Sequence, residues 1–273
     1  MRINASTKIT GIIGWPVEHS KSPLMHNAAF DALGLNFCYI AMPVKPEALE
    51  EAIKGIKALN FLGINVTIPH KETVMKYLDR IDEEARFIGA VNTIKNEDGM
   101  LVGYNTDGRG FMESLTEEGI DTTGKNVFIV GVGGAARAVS YYLCQKAARL
   151  WLHGRNMQKA TALANDLKKI SSCVAVTETK DNIQFADIII NATPLGMKDT
   201  DPLPFDPERL RKDQVVCDLI YWETPLLRAA RQQGCKTIDG LGMLLWQGVL
   251  AFKIWTGIKP PIELMREHLK KSL

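Results

Sequence analysis

Two residues in the first half of the chain have the chemistry of a proton-transfer pair. Lys71, in NVTIPHKE, and Asp107, in GYNTDG, carry an amine and a carboxylate. Such groups, within hydrogen-bond reach of a hydroxyl, take up or return its proton while hydride moves between carbon and an acceptor, which interconverts an alcohol and a ketone. Hydroxyls and amides stand near them in the sequence: Ser20 and Ser22 in GWPVEHSKSP, Asn65 and Thr67 in GINVTIP, Asn92 in GAVNTI, and Asn105 two residues before Asp107. Asn65 and Thr67 share one strand face by the period of two. A buried asparagine has up to four hydrogen bonds to satisfy, and a polyol offers both donors and acceptors. Each residue alone has a plainer reading: Ser before a Pro-opened helix is a cap, and Asn, Asp and Gly make turns. Lys71 stands out by position. In the first turn of a helix opened by Pro69, the macrodipole disfavours a cation by about 0.3 to 1 kcal/mol, so this lysine needs another reason to be there.

A second constellation lies downstream. Gly131, Gly133 and Ala136 form G-x-G-x-x-A directly after the apolar strand NVFIV (126–130) and at the opening of a helical run to about Ala147. There the first glycine permits the tight turn, the second lets backbone approach a pyrophosphate, and the small third residue keeps helix and strand close. A glycine-rich turn that binds nothing is the bland alternative, which the flanking strand and helix disfavour. A cofactor with a free 2′-hydroxyl meets an acidic residue about 20 positions on. Here that place reads WLHGRN, with no carboxylate between Gly131 and Asp166, and Arg155 sits where a guanidinium would grip a 2′-phosphate. The pattern favours NADP over NAD.

The elements that must position these residues alternate throughout, short β-branched runs with amphipathic stretches, which predicts an α/β fold with parallel sheets. Strands are expected at 10–14, 37–42, 63–67, 91–95, 101–104, 126–130, 148–152, 173–177, 186–190, 215–219 and 236–237, with helices opening near Pro23, Pro46 and His70. After Gly240 the strand pattern stops, and two helices, expected to pack back on the first part, end the chain. The expected organisation is a discontinuous substrate-binding and catalytic domain, 1–107 with 241–273, and a Rossmann-like dinucleotide domain, 108–240, with the ligand cleft between them. The 273 residues carry Lys+Arg 33 against Asp+Glu 31, a formal net charge of +2, which gives no reason to expect nucleic acid as a partner. Apolar runs stop short of the roughly 18 residues of a membrane span, and MRINASTK lacks the apolar centre of a signal peptide. Five cysteines without a C-x-x-C pair read as reduced thiols of a cytoplasmic protein with no metal site. His70, His153, Trp151 and Trp246 read as packing or surface residues.

Taken together, GWPVEHSKSP, NVTIPHK, GAVNT, GYNTDG, GVGGAARA, NATPLGM and DGLGMLLWQG resemble, in that order and along essentially the whole chain, the motifs of the shikimate dehydrogenase family. The resemblance implies reversible NADPH-dependent reduction of 3-dehydroshikimate to shikimate, on the route to chorismate and the aromatic amino acids. It also implies that Ser20, Ser22, Asn65, Thr67, Asn92, Asp107, Tyr221 and Gln247 hold the substrate, with Lys71 and Asp107 as the catalytic pair. Gly131, Val132, Gly133, Gly134, Ala135, Gly154, Arg155, Asn156, Lys159, Thr193, Leu219 and Gly240 would hold the cofactor. The chain departs from the family's N-R-T loop, reading Gly154-Arg155-Asn156, so only the arginine is kept. Three other readings compete: a quinate/shikimate enzyme that uses NAD, a non-catalytic dinucleotide-binding module, and an amino-acid or methylenetetrahydrofolate dehydrogenase that shares only the second domain. The presence of both Lys71 and Asp107 argues against the non-catalytic module. The partner expected is a small molecule, with a homodimer as the candidate assembly.

Overall fold

A computed structural model of the chain describes residues 3–198 and 200–271. They fold as two compact units, Met1–Thr106 with Leu245–Leu273, and Asp107–Leu244. Asp107 opens a helix of the second unit, and the first turn of the helix after Gly240 stays with that unit. The boundaries therefore fall before Asp107 and before Leu245, not after Asp107 and Gly240.

In the first unit, β1 (Lys8–Gly14), α1 (Ser22–Ala32), β2 (Phe37–Pro43), α2 (Leu49–Ala58) and β3 (Gly63–Val66) alternate, and β1 pairs in parallel with both β2 and β3. Leu49, Ile53 and Ile56 recur on one face of α2 and bury against Ile13, Ile64, Val66 and Ile94. The sheet is mixed, in the order β2-β1-β3-β5-β6-β4. Its second half is the short β4 (Arg80–Ile81), the helix α3 (Glu83–Ile88), β5 (Thr93–Glu97) and β6 (Met100–Tyr104); β5 runs antiparallel to both β3 and β6. The cause is local. Asp98 and Gly99 adopt positive φ, 51° and 88°, and close a two-residue hairpin between β5 and β6.

Three further expectations change here. The segment after His70 is no full helix: Lys71 lies in a turn before the short 3₁₀ helix Thr73–Tyr77, so the macrodipole argument for this lysine falls away. Asn92 lies in the bend before β5 rather than within a strand, and β3 ends one residue before Thr67.

The second unit is parallel throughout. β7 (Asn126–Val130), β8 (Arg149–His153), β9 (Val174–Val176), β10 (Ile188–Asn191), β11 (Val215–Asp218) and β12 (Lys236–Ile238) align as β12-β11-β10-β7-β8-β9. Counted from β7, this is the doubly wound order 3-2-1-4-5-6, whose direction switches between β7 and β10. The helices of this unit are α4 (Asp107–Glu117), α5 (Gly134–Leu143), α6 (Met157–Leu167) and α7 (Pro225–Gln232). α5 stops four residues short of the expected Ala147. Phe128, Val130, Ile189, Val216, Leu226 and Leu227 form its core.

The chain re-enters the first unit within α8 (Leu241–Thr256) and ends in α9 (Ile262–Lys270). Trp255 on α8 donates its indole N–H to the Ile94 carbonyl at 2.9 Å, and a Cβ on Gly63 would lie 2.3 Å from that indole nitrogen. Gly63 is glycine because α8 seats there. α9 packs on α1.

Candidate active site and dinucleotide site

In the first unit, the loop after β1 and the ends of β3, β5 and β6 carry the expected substrate residues. Ser22 is the first residue of α1 and is buried; its backbone N–H donates to Ser20 Oγ at 3.3 Å. Thr67, half-buried just past β3, packs its methyl under Gly14, where a Cβ would sit 2.4 Å away. Asn65 and Asn92 are buried, 3% and 2% exposed. The two are bonded together: Asn65 Nδ2 donates to the Asn92 carbonyl at 3.1 Å and to Thr93 Oγ1 at 3.0 Å. The Asn92 amide is tied in turn to Thr106, whose N–H donates to Asn92 Oδ1 at 2.8 Å while Asn92 Nδ2 donates to Thr106 Oγ1 at 2.9 Å. Lys71, half-buried, joins the cluster through its backbone, since its carbonyl accepts from the Val91 N–H at 2.8 Å. Asn105 donates to the Ala90 carbonyl at 2.9 Å and so braces the same segment from the other side. Gln247 is buried on α8 beside Gly248, where a Cβ would lie 2.2 Å from Met25 Cε on α1.

This arrangement ties Ser20 to Ser22 and Asn65 to Asn92. It also contains groups that the sequence did not single out. The phenol of Tyr39 on β2 donates to Asn65 Oδ1 at 2.8 Å. Burial raises the Tyr39 pKa against the opposing pull of a hydrogen bond from Ser22. His26 stacks on Tyr39 at 4.5 Å, fully buried, and neither ring nitrogen has a hydrogen-bond partner among the described residues. Desolvation pushes its pKa down to about 3.

Asp107 is buried at the N-terminus of α4, where a carboxylate is favoured by the helix dipole.

The glycine loop of the second unit has the form a dinucleotide requires. Gly131 sits at φ +119°, and a Cβ on it would meet the Ala192 carbonyl oxygen at 2.7 Å, so the loops after β7 and β10 touch at the switch point. Gly133 is the N-cap of α5, without a side-chain cap, and a Cβ there would meet nothing within 4 Å. Open space at an uncapped helix N-terminus is what an approaching pyrophosphate needs. Val132 fills the space above Gly154: a Cβ on Gly154 would come within 2.8 Å of Val132 Cγ2. Arg155 is exposed in the loop after β8, and Lys159 is exposed in the first turn of α6. Asn156 is the N-cap of α6, its Oδ1 accepting from the Lys159 N–H at 3.0 Å. Asp166, the first carboxylate after the glycine loop, is bound to Arg137 at 3.1 Å and to Lys169 at 2.9 Å, away from any ribose role. The residues present therefore fit a 2′-phosphorylated dinucleotide.

On the other side of the switch point, Asn191 ends β10 and Asp218 ends β11. Asp218 is buried and accepts from Asn191 Nδ2 at 3.1 Å, Thr224 Oγ1 at 2.8 Å and the Ile220 N–H at 3.1 Å. Burial raises its pKa. Asn191 Oδ1 accepts from the Thr193 N–H and hydroxyl, and its backbone carbonyl accepts from the Leu219 N–H. The two loops carrying Thr193, Leu219 and half-buried Tyr221 are thus sewn together. Gly240 closes on Leu219, with its N–H donating to the Ile220 carbonyl and no room for a Cβ, which would lie 2.2 Å from the Leu219 oxygen. Asn191 and Asp218 are apolar-strand terminators in the sequence, and only the buried carboxylate hints at a role.

Comparison with known proteins decides the family. Residues 12–94 match the model of the shikimate dehydrogenase substrate-binding domain, 114–196 that of shikimate/quinate 5-dehydrogenase, and 240–270 that of the shikimate 5′-dehydrogenase C-terminal domain. The NADP(+) shikimate dehydrogenase of Methanocaldococcus jannaschii is 52% identical over 98% of this chain and 98% of its own length. The chain belongs to the shikimate dehydrogenase family. A crystal structure of a shikimate dehydrogenase in complex with NADP+ superimposes with a TM-score of 0.93 at 48% identity, covering 99% of this chain and 97% of that one. A Thermus thermophilus family member in complex with NADP(H) and shikimate does so with a TM-score of 0.90 at 36% identity, over 98% of this chain and all of that one. The α/β fold with a Rossmann-like second unit is therefore that of the family. Among the described residues no His/Cys/Asp/Glu group has metal-binding form, and no helix is long and apolar enough to cross a membrane. The cysteines are all free.

Proposed function

We propose that the chain catalyses the reversible NADPH-dependent reduction of 3-dehydroshikimate to shikimate. The observation that carries this reading is the likeness running at full length through both units, together with a glycine loop whose neighbouring strand end offers an arginine and no carboxylate. A dinucleotide held by these residues would supply hydride to the substrate carbonyl carbon in reduction and accept it in oxidation. Lys71 holds the proton at the reacting oxygen: its ammonium donates in reduction and its neutral amine accepts in oxidation. Asp107 acts on the same hydroxyl as a fixed hydrogen-bond acceptor. Ser20, Ser22, Asn65, Thr67, Asn92, Tyr221 and Gln247 bind the carboxylate and the remaining hydroxyls. Gly131, Val132, Gly133, Gly134 and Ala135 cradle the pyrophosphate, and Gly154, Arg155, Asn156 and Lys159 form the 2′-phosphate end, where Arg155 supplies the charge. Thr193, Leu219 and Gly240 shape the nicotinamide end. The reading carries with it a cytoplasmic enzyme working as a homodimer, which sizing in solution tests. Purified protein should oxidise shikimate with NADP; absence of that activity, with bound cofactor demonstrated, would leave a dinucleotide-binding protein of another kind.

A further inference from the structure

We propose that Val132 is a specificity-determining residue of the dinucleotide site: its side chain keeps position 154 bare, so no carboxylate can be seated there for the ribose 2′-hydroxyl of NAD, and the choice of cofactor falls to Arg155. This deepens the reading of the second unit as a site for a 2′-phosphorylated dinucleotide and rests on it. Gly154 follows the last residue of β8. A dinucleotide site that takes a free 2′-hydroxyl carries its acidic residue there, about 20 positions past the first glycine. Gly154 is buried, and a Cβ built on it would lie 2.8 Å from Val132 Cγ2, 3.0 Å from Cγ1 and 3.5 Å from Cβ. Both methyls therefore face position 154.

Turning the valine does not open the position. Its two methyls occupy two of three staggered positions, and two of those three face Gly154, so every rotamer leaves at least one methyl there. The backbone of the glycine loop is held as well. Gly131 N–H donates to the His153 carbonyl at 2.8 Å, which ties the loop to the end of β8, and a Cβ on Gly131 would lie 2.7 Å from the Ala192 carbonyl oxygen on its other side. The Val132 Cβ itself stands at ordinary contact distance, so Val132→Ala leaves room for a side chain at 154. An asparagine at 154 would meet the same methyls, which accounts for the first departure of Gly154-Arg155-Asn156 from the N-R-T loop. Asn156 is spent on the fold, since its Oδ1 caps α6. Of the three, Arg155 is the one whose side chain is left for a phosphate: it is exposed and makes no hydrogen bond or ion pair among the described residues.

The test is a cycle of Gly154→Asp and Val132→Ala, read as the Kd of NAD and of NADP by titration calorimetry on the full chain without substrate. With Val132 in place, Gly154→Asp should raise the NAD Kd about fivefold or more, because the added side chain displaces the loop. In the Val132→Ala background the same substitution should lower the NAD Kd about tenfold and raise the NADP Kd at least tenfold, as the carboxylate meets the 2′-hydroxyl of one and the 2′-phosphate of the other. A NAD Kd unchanged or lowered by Gly154→Asp beside the valine, or not lowered once the valine is trimmed, would overturn the proposal. Should Gly154→Asp beside the valine fail to fold, Gly154→Ala decides the matter. It should lower Tm by about 2 to 10 °C beside Val132 and by less than half as much in the Val132→Ala background; equal losses in the two backgrounds overturn the proposal. The wild-type chain judges the underlying reading separately: failure to bind NADP, or equal affinity for NAD, overturns both, whereas a wild type that prefers NADP, with no change of sign between backgrounds, overturns this proposal alone.

Discussion

Lys71 and Arg155 are assigned the two charges that matter most to the reaction, and the assignments have separable consequences. Lys71→Ala should lower kcat by about 10² to 10⁴, the usual contribution of a positioned acid or base, with a much smaller change in the shikimate KM. Near-normal kcat at saturating shikimate would make Lys71 a binding residue. Arg155→Ala should raise the NADP KM at least several-fold and leave NAD little changed, since a charge-assisted phosphate contact is worth about 1.5 to 3 kcal/mol; equal losses with both cofactors would remove the arginine from the phosphate. His26 makes a third, pH-dependent prediction. Its folded pKa of about 3 lies below the unfolded value of 6.5, so between those values the unfolded chain binds the extra proton. Stability should therefore fall as pH drops from 6.5 toward 3, by at most about 1.4 kcal/mol per pH unit from this group. Denaturant titrations of His26→Phe should show a flatter pH profile across that window. Polar residues at expected strand ends are what singled out Ser20, Ser22, Thr67 and Asn92 as candidates in the sequence. Tyr39 and His26 gave no such signal, because an aromatic residue in an apolar stretch reads as core, and only three-dimensional pairing shows that the phenol bonds Asn65.

Elements differ in how well local pattern specifies them. The strand NVFIV, its glycine turn and the helix beyond were readable to the residue at their junction, because turn, strand and helix signals agree there. The segment after His70 was expected as a helix because Pro69 stands at its opening, but the His70 N–H closes a turn on the Thr67 carbonyl and the chain goes on only into the 3₁₀ helix Thr73–Tyr77. The antiparallel hairpin was signalled by Asp98-Gly99 and passed over in favour of a parallel pattern. Asn156 shows an element serving a site. Its side chain caps α6 instead of standing free for a phosphate, so Asn156→Ala should lower stability by about 1 kcal/mol in thermal or denaturant melts. Its NADP KM should rise less than that of Arg155→Ala. Gly240→Ala places a Cβ against the fixed Leu219 backbone rather than a yielding side chain, and should cost about 1 to 3 kcal/mol. A variant as stable as wild type would mean that this junction gives way easily.

The chain is built of two units with different sheets: a mixed sheet whose strand ends present amides and hydroxyls, and a doubly wound parallel sheet whose switch point presents bare backbone. The α/β class and the dinucleotide unit were readable because strand, glycine loop and helix recur in fixed order. The polar cluster of the first unit was readable only as a set of residue types, since its members come from β2, β3, the bend before β5 and the loop after β6, which no periodicity joins. Cofactor binding should register on the whole fold, stabilising the folded protein by about 2.7 kcal/mol at a hundredfold excess over its Kd, and more with NADP than with NAD at equal concentration. The most direct measurement of the central claim is a set of four initial-rate series, NADP and NAD each with shikimate and with quinate. The account predicts the highest kcat/KM for shikimate with NADP; a higher value for quinate, or for NAD with either substrate, would contradict it.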